Sequence, residues 1–219
     1  MKEPGLDPHT QTPLGRRIVS DSFATIDREV GEHGFPPDAW AIVRRVIHTT
    51  ADFDFKSLTV FHPEAIARGI AAAHAACPIV VDVQMIRAGL SPERLAAFGC
   101  QAHCFISDSD VLAEAQRQDS TRAVTAMQKA HRLGVLEGAI VAIGNAPTAL
   151  LEVLRLVEDQ GAQPALVLGV PVGFISAAES KEALMAGSVP YIATRGRKGG
   201  SPVAVAIMHS LLALAAGEG

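Results

Sequence analysis

The chain has 219 residues, of which 48% are hydrophobic, and this size and composition suit one α/β domain with a large buried core. Its 19 Lys and Arg residues and 23 Asp and Glu residues give a formal net charge of −4 without a basic tail, which disfavours a general nucleic-acid-binding protein. Its three cysteines are an odd number and do not form a disulfide framework, so we expect a reducing compartment and a cytoplasmic location.

Residues 1–13 are expected to form a flexible arm, and residues 14–216 a single domain. Pro4, Pro8 and Pro13 lie in this arm, and no apolar segment typical of a signal peptide accompanies them. Elsewhere the longest apolar stretches fall short of the roughly 20 residues that span a membrane. We therefore expect a soluble protein.

Two helical patterns follow the arm, and the second one ends at a histidine. The first covers residues 15–33. In the second, apolar residues from Trp40 onward keep a helical period as far as His48, where Thr49 and Thr50 break it. This pattern predicts that His48 lies at or near a helix C-terminus.

His48 is the candidate acid or base of the chain. At a helix C-terminus the macrodipole favours the protonated imidazolium. Asp52 and Asp54 are close enough in sequence to support the same charge, whereas Arg44 and Arg45 on the preceding turn would oppose it. The other histidines are expected to be surface or structural residues.

After a further helical pattern at 62–76, short apolar runs alternate with longer helical patterns, which is typical of βαβ units and a parallel sheet. Several runs lack polar alternation, as expected for parallel strands buried on both faces. The predicted fold is therefore a three-layer α/β/α domain with a mainly parallel, doubly wound, Rossmann-like sheet and an N-terminal helical segment. The predicted strands are 79–83, 103–106, 139–143, 165–168 and 190–193, and the predicted helices are about 109–132, 146–160, 176–186 and 201–216.

Ligands of doubly wound sheets bind beyond the carboxyl ends of the strands, so the residues that follow each run are candidates. Asp82 ends the first run, and its carboxylate either orients a ligand or caps the next turn. Asn145 lies in a Gly-Asn-Ala-Pro-Thr segment whose backbone N–H groups would favour an anion. Gly173 lies in the loop after the fourth run, and Lys181 lies in the helix that follows it.

The strongest local signal is the segment 195–201, Arg-Gly-Arg-Lys-Gly-Gly-Ser, which opens onto the last helix. Its guanidinium, ammonium and backbone N–H groups would bind carboxylates or phosphates, and a solvated turn is the alternative. The segment lacks the spacing of a P-loop, and no Gly-x-Gly-x-x-Gly motif follows a strand. ATP and dinucleotide chemistry are therefore disfavoured.

Cys100, His103 and Cys104 are metal-ligand side chains at close spacing. No second paired cluster accompanies them, and they partly alternate into an apolar run, so a zinc site is not predicted. No Gly-x-Ser-x-Gly elbow points to a hydrolase either. We expect no metal and no cofactor.

Seven motifs in order make the chain resemble the precorrin-8X methylmutase family of cobalamin biosynthesis over about residues 14–214. They are Ser22-Phe23, His48-Thr49-Thr50 with Asp52-Phe53-Asp54, Asp82 with Met85, Thr121-Arg122, the segment 144–150, the segment 171–174 with 178–181, and the segment 195–201.

The resemblance implies a cofactor-free isomerase. Its reaction moves a methyl group from carbon eleven to carbon twelve of ring C of a corrin precursor and gives hydrogenobyrinate or its cobalt form, cobyrinate. The family's essential histidine aligns with His48, which would act as the general acid that protonates the ring C nitrogen. The implied substrate-binding residues are Ser22, Thr49, Asp82, Arg122, Asn145, Gly173, Lys181, Arg195, Arg197, Lys198 and Ser201.

The resemblance also implies a homodimer with its active site near the subunit contact, and substrate channelling with neighbouring enzymes of the cobalamin pathway is a further expectation. The stretch 48–54 is more similar to the branch acting on cobalt-precorrin-8, but Ala51 stands where many such members have glycine, so metal-free and cobalt substrates both stay open. A non-catalytic tetrapyrrole carrier is the alternative function, and a phosphate- or nucleotide-dependent enzyme resting on the loops at Gly144 and Gly199 is a more distant one.

Overall fold

The computed structural model describes residues 12–218, so most of the predicted arm lies outside the described residues. The first helix begins within that predicted arm, where the Thr12 hydroxyl accepts a hydrogen bond from the N–H of Gly15 and Pro13 occupies the first helical turn. In chain order the elements are α1 (Pro13–Val30), α2 (Pro37–Thr50), α3 (Phe55–Leu58), β1 (Thr59–Phe61), α4 (Ala65–His74), β2 (Pro78–Val81), α5 (Gln84–Gly89), α6 (Pro92–Phe98), β3 (Gln101–His103), α7 (Ser109–Arg117), α8 (Arg122–Arg132), β4 (Ile140–Ile143), α9 (Pro147–Gln160), β5 (Leu166–Gly169), α10 (Ala177–Ala186), β6 (Tyr191–Thr194) and α11 (Ser201–Ala215).

The strands form one sheet in the order β1-β6-β5-β4-β2-β3. All neighbouring strands are parallel except β1, which pairs antiparallel with β6. From β2, the chain builds outward on one side through β3 and on the other through β4, β5 and β6, so the strand order reverses between β2 and β4. Such a switch point is where doubly wound sheets leave a crevice at the carboxyl ends of their strands.

Helices cover both faces of the sheet, which confirms the predicted three-layer α/β/α class. In β4, Ile140 and Ala142 pack into one core cluster with residues of α1, α2, α4 and α11. Val141 and Ile143 point to the opposite face and pack with residues of α8, α9 and α10. This alternation of buried side chains on both faces explains the unbroken apolar runs in the sequence.

The prediction of a single helix at 109–132 is wrong, because two helices, α7 and α8, occupy this range. Asp119 adopts a left-handed conformation with φ of 50°, which ends the first helical path. Thr121 then caps the second helix, with its hydroxyl accepting a hydrogen bond from the N–H of Val124 at 3.2 Å.

The strand predicted at 103–106 is present, but its bounds are wrong, because β3 covers Gln101–His103 and the chain has left the sheet by residue 104. The remaining predicted strands are confirmed with shifts of one or two residues at their ends. The edge strand β1 and the short helices α3, α5 and α6 were not predicted. Among residues 12–218, no helix combines the length and apolarity that a membrane crossing requires.

Candidate active site

His48 occupies the last turn of α2, as predicted, and its side chain is partly buried. The helix ends at Ala51, which is left-handed at φ 52° and ψ 29° and donates its N–H to the Ile47 carbonyl at 2.8 Å. Carbonyl groups at this end carry partial negative charge, which stabilises a protonated imidazole.

Two consecutive residues of α1 hold the imidazole of His48. Its Nδ1 lies 3.0 Å from the hydroxyl oxygen of Ser22. The ring of Phe23 contacts it edge-on, with ring centroids 5.2 Å apart and an angle of 77° between the planes. The Ser-Phe pair thus fixes the ring by one hydrogen bond and one apolar contact.

The two arginines before His48 both lie over the ring of Phe23, with the Arg44 guanidinium 4.5 Å from the ring centroid, but they differ in burial. Arg44 forms an ion pair of 2.9 Å with Asp27, and Asp27 also accepts a hydrogen bond from the indole of Trp40. The carboxylate of Asp27 therefore partly balances the positive charge of Arg44. Arg45 is buried, and its guanidinium lies 5.6 Å from the ring centroid of Phe23.

A cavity of about 570 Å³ opens beside His48, between α1, α2, α5 and α11. It brings together three of the predicted site residues, His48, Thr49 and Ser201. Its volume and mixed lining of apolar and polar side chains are typical of a small-molecule site. The lining residues are Val19, Arg45, His48, Thr49, Met85, Gly89, Ser201, Pro202, Val205, Ala206 and His209.

Arg45 and His209 line this cavity but were not predicted as site residues. The helical spacing of both residues from predicted site residues could have identified them. Arg45 lies three residues before His48, and His209 lies eight residues after Ser201, so each shares a helix face with a predicted site residue.

Asp82 lies at the switch point between β2 and β4 and is fully buried. Its carboxylate accepts hydrogen bonds from the N–H groups of Gly144 at 3.1 Å, Asn145 at 2.8 Å and Ala146 at 2.7 Å. Burial raises the pKa of Asp82, and the three N–H donors act in the opposite direction. The carboxylate thus fixes the loop after β4, and a direct contact with substrate stays a prediction.

Lys181 is also fully buried. Its ammonium donates to the carbonyl oxygen of Lys198 at 2.9 Å and to the hydroxyl of Thr194 at 3.4 Å, and this hydroxyl donates to the same carbonyl at 2.8 Å. Loss of hydration on burial lowers the pKa of Lys181 to about 8. The side chain therefore supports the basic segment 195–201 from inside the protein.

Lys198 joins that basic segment to the residues that follow His48. Its ammonium donates to Asp52 at 2.6 Å and to Asp54 at 2.7 Å. These contacts raise the pKa of Lys198, and the hydrogen bond from Lys198 lowers the pKa of Asp52. The two carboxylates expected to support the imidazolium are thus both paired with a lysine.

Within the described residues 12–218, the remaining predicted binding residues do not line this cavity. Arg195 and Arg197 are exposed, and the Arg197 guanidinium lies 5.6 Å from the ring centroid of the exposed Phe174. Asn145 is exposed in the loop that Asp82 holds. The two others are Gly173, in the loop after β5, and Arg122, exposed at the start of α8 on the opposite face of the sheet.

The cysteines near the predicted strand do not form a ligand cluster. Cys77, Cys100 and Cys104 are all buried free thiols, and burial raises the pKa of each. In the part of the chain that the structure describes, no group of three His, Cys, Asp or Glu side chains is arranged to hold a metal ion.

Comparisons with known proteins agree with the observed fold and with the family resemblance of the sequence. A sequence model of the precorrin-8X methylmutase family matches residues 17–214. A cobalt-precorrin-8 methylmutase of Leptospira interrogans is 54% identical over 214 residues, which cover 95% of this chain and 97% of the relative. A precorrin-8X methylmutase of Pseudomonas aeruginosa is 42% identical over 199 residues, with 90% and 94% covered.

A solved structure, the precorrin-8X methylmutase of Thermus thermophilus, has a TM-score of 0.87 to this chain at 48% identity, and 93% of this chain and 98% of that one are covered. The match therefore extends from the sequence to the arrangement of the sheet and its helices. Because both the family model and the relatives span nearly the whole chain, this protein belongs to the precorrin-8X methylmutase family of isomerases.

Proposed function

We propose that this chain moves a methyl group from carbon eleven to carbon twelve of ring C in precorrin-8X or cobalt-precorrin-8. In this proposal His48 is the general acid that protonates the ring C nitrogen, and the methyl group then shifts within the bound macrocycle. The observation that carries the proposal is the partly buried His48 imidazole, which lines a cavity while Ser22 and Phe23 hold the ring.

The electrostatics of the helix end suit this role. A general acid must carry its proton at the working pH and lie within reach of the atom that receives it. The C-terminus of α2 favours the protonated imidazole, and the pairing with Asp27 reduces the opposing charge of Arg44, one of the two arginines that precede His48. The Ser22 oxygen can accept a hydrogen bond from the Nδ1–H when the ring is charged.

The cationic groups suit a substrate that bears several carboxylates. Arg45 lines the cavity, and Arg195 and Arg197 are exposed on the basic segment. We propose that these arginines bind acetate and propionate groups of the substrate. We assign Lys181 and Lys198 a supporting part in binding, because their ammonium groups hold the basic segment in position.

We also propose a homodimer in which each site uses residues of both subunits. Arg122 begins α8 on the face of the sheet opposite the cavity, so a contribution to substrate binding is more readily made to the site of a second copy. Delivery of the product directly to a neighbouring pathway enzyme stays a prediction.

Turnover by His48→Ala tests the acid. Purified variant and wild-type protein are incubated with precorrin-8X and, separately, with cobalt-precorrin-8, and the absorbance change to hydrogenobyrinate or cobyrinate is followed. We expect His48→Ala to bind tetrapyrrole without turnover, while the control His74→Ala, at an exposed position on α4, keeps wild-type rates. Unchanged turnover in His48→Ala would contradict the proposal, and a wild-type protein that binds but converts neither substrate would be a tetrapyrrole carrier.

Mixing two inactive variants tests the shared site. If Arg122 serves the partner, heterodimers of His48→Ala and Arg122→Ala contain one site with both native residues and regain part of the wild-type activity. Each variant alone would stay inactive or strongly impaired. Refolded mixtures that form heterodimers yet gain no activity would show that Arg122 and His48 of one chain act together.

A further inference from the structure

The cavity beside His48 contains a second imidazole that the proposed acid step does not use. His209 lies on α11, is 9% exposed, and lines the cavity one helical turn after Val205 and two turns after Ser201. A buried histidine in a ligand cavity affects the substrate in one of two ways, as a charged group or as a neutral hydrogen-bonding group.

A backbone donor decides between these two forms. The N–H of Ser91 donates to Nε2 of His209 at 3.1 Å. An amide N–H can only donate, so Nε2 must carry a lone pair, and the single proton of the neutral ring is then on Nδ1. Protonation of Nε2 would place two N–H groups against each other in a buried position.

The Ser91 donor is itself fixed. Ser91 is the N-cap of α6, where its hydroxyl accepts from the N–H of Arg94 at 3.3 Å and donates to the Glu93 carboxylate at 3.0 Å. Ser91 is buried, with 1% of its surface exposed. The N–H group therefore cannot turn away from His209 without loss of the helix cap.

We propose that His209 is a substrate-positioning residue that stays neutral, as the Nδ1–H tautomer, in the same cavity in which His48 acts as the acid. The assignment of a role toward substrate rests on the proposed function, whereas the assignment of the tautomer rests on the Ser91 contact. One imidazole then supplies the proton, and the other contacts the macrocycle without adding a second positive charge.

The charged groups around His209 have opposing effects on its protonation. Arg45 and His48, which line the same cavity from α2, both disfavour a positive charge on His209. On α6, Glu93 favours such a charge and Arg94 disfavours it, while Arg94 lies 3.5 Å from Glu218 beyond the end of α11. The residues that α5 adds to the cavity, Met85 and Gly89, are uncharged. Most of these groups therefore act in the same direction as the Ser91 N–H.

NMR on the protein without substrate tests the tautomer independently of any activity. Histidine labelled with nitrogen-15 reports for each ring which nitrogen is protonated, and the spectrum of His209→Gln identifies the His209 signals by their loss. We expect one protonated Nδ1 and one unprotonated Nε2, without titration over about pH 6–8. A ring that is protonated in this range, or that carries its proton on Nε2, would overturn the proposal.

Two substitutions test the role toward substrate. Glutamine at 209 can keep an oxygen acceptor for the Ser91 N–H, whereas phenylalanine keeps only the ring shape. We expect His209→Phe to weaken tetrapyrrole binding, and to raise KM, about tenfold with kcat and its pH profile nearly unchanged, while His209→Gln stays within about threefold of wild type.

The outcomes separate the two proposals. Loss of kcat in His209→Phe as complete as in His48→Ala, or a changed pH profile, would make His209 part of the proton transfer and overturn its positioning role. Wild-type binding by His209→Phe would overturn it as well. If wild-type protein shows no turnover, the proposed function fails, yet the NMR spectrum and the tetrapyrrole titration still decide the state and the role of His209.

Discussion

The hydroxyl oxygen of Ser22 lies 3.0 Å from Nδ1 of His48, across the contact between α1 and α2. A hydroxyl group both donates and accepts, so Ser22 can hold the imidazole before and after it releases a proton. A backbone amide or a carboxylate in the same place would favour one protonation state over the other. The choice of serine therefore suits a group that must change its charge during each turnover.

Replacement of Ser22 by alanine should lower kcat about tenfold, because a hydrogen bond to a charged group contributes about 1.5 kcal/mol to holding the proton donor in place. Steady-state assays with precorrin-8X measure this effect. Ser20→Ala, at an exposed position on the same helix, is the control and should leave kcat unchanged. Equal rates for Ser22→Ala and wild type would mean that the hydroxyl has no part in positioning the acid.

Replacement of Ala51 by glycine should stabilise the protein by about 1 kcal/mol. Ala51 has φ of 52°, and a residue with a Cβ atom is strained in this left-handed region whereas glycine is not. Urea unfolding measures the change, and Ala41→Gly in the interior of α2 is the control, with an expected loss of about 1 kcal/mol. A destabilised Ala51→Gly would contradict the conformational argument.

Replacement of Asp82 by asparagine should destabilise the fold by about 3 kcal/mol. The carboxylate accepts three backbone hydrogen bonds, and the amide NH₂ of asparagine would turn a donor toward N–H groups that also donate. Thermal and urea unfolding both report this loss. Asp119→Asn, exposed and left-handed, should change stability by less than about 0.5 kcal/mol. If both variants unfold alike, the loop after β4 does not depend on this carboxylate.

The buried ammonium of Lys181 makes stability depend on pH at the alkaline side. Its folded pKa of about 8 lies below that of an exposed lysine, so between these two values the unfolded chain binds a proton that the folded chain does not. Between these two pKa values, the titration of Lys181 therefore increases the free energy of unfolding as the pH rises. In Lys181→Met the rise is absent, and the stability of this variant relative to wild type should fall as the pH increases above about 8.

Lys129→Met is the matched control for that experiment. Hydrogen bonds to Asp108 and Asp110 raise the pKa of Lys129. Its contribution to the free energy of unfolding therefore stays constant until the pH approaches the pKa of an exposed lysine. Urea unfolding of the three proteins between about pH 7 and 9.5 makes the comparison. A constant difference between Lys181→Met and wild type over this range would show that Lys181 is not titrating in the folded state.

Much of the fold was predictable from residue patterns alone. The apolar runs predicted the parallel strands because both faces of each strand are covered. The apolar period before Thr49 placed His48 at a helix end, since its interruption coincides with the end of α2. The break between α7 and α8 also had a signal in Asp119-Ser120-Thr121, because a left-handed residue followed by an N-cap ends one helix and begins another.

Other features depend on contacts that the sequence does not reveal. Strand β1 has only three residues, which is too short for a periodic pattern, and its pairing with β6 holds it in the sheet. Lys181 is a charged residue whose burial depends on the carbonyl of Lys198 and the hydroxyl of Thr194, which reach it from other elements. The position of Arg122 relative to the cavity follows from sheet topology, which only the assembled fold provides.

Two glycines bring the start of α11 into direct backbone contact with the segments that follow β4 and β5. A Cβ on Gly144 would lie 2.9 Å from Cα of Ser201, and one on Gly199 would lie 2.2 Å from the Val170 carbonyl oxygen, to which Gly200 donates its N–H at 2.8 Å. With main chain against main chain, no side chain is present to change rotamer and absorb a displacement. The N-terminal end of α11, which carries Ser201, is accordingly a rigid part of the cavity wall, because any displacement there would have to move backbone against backbone.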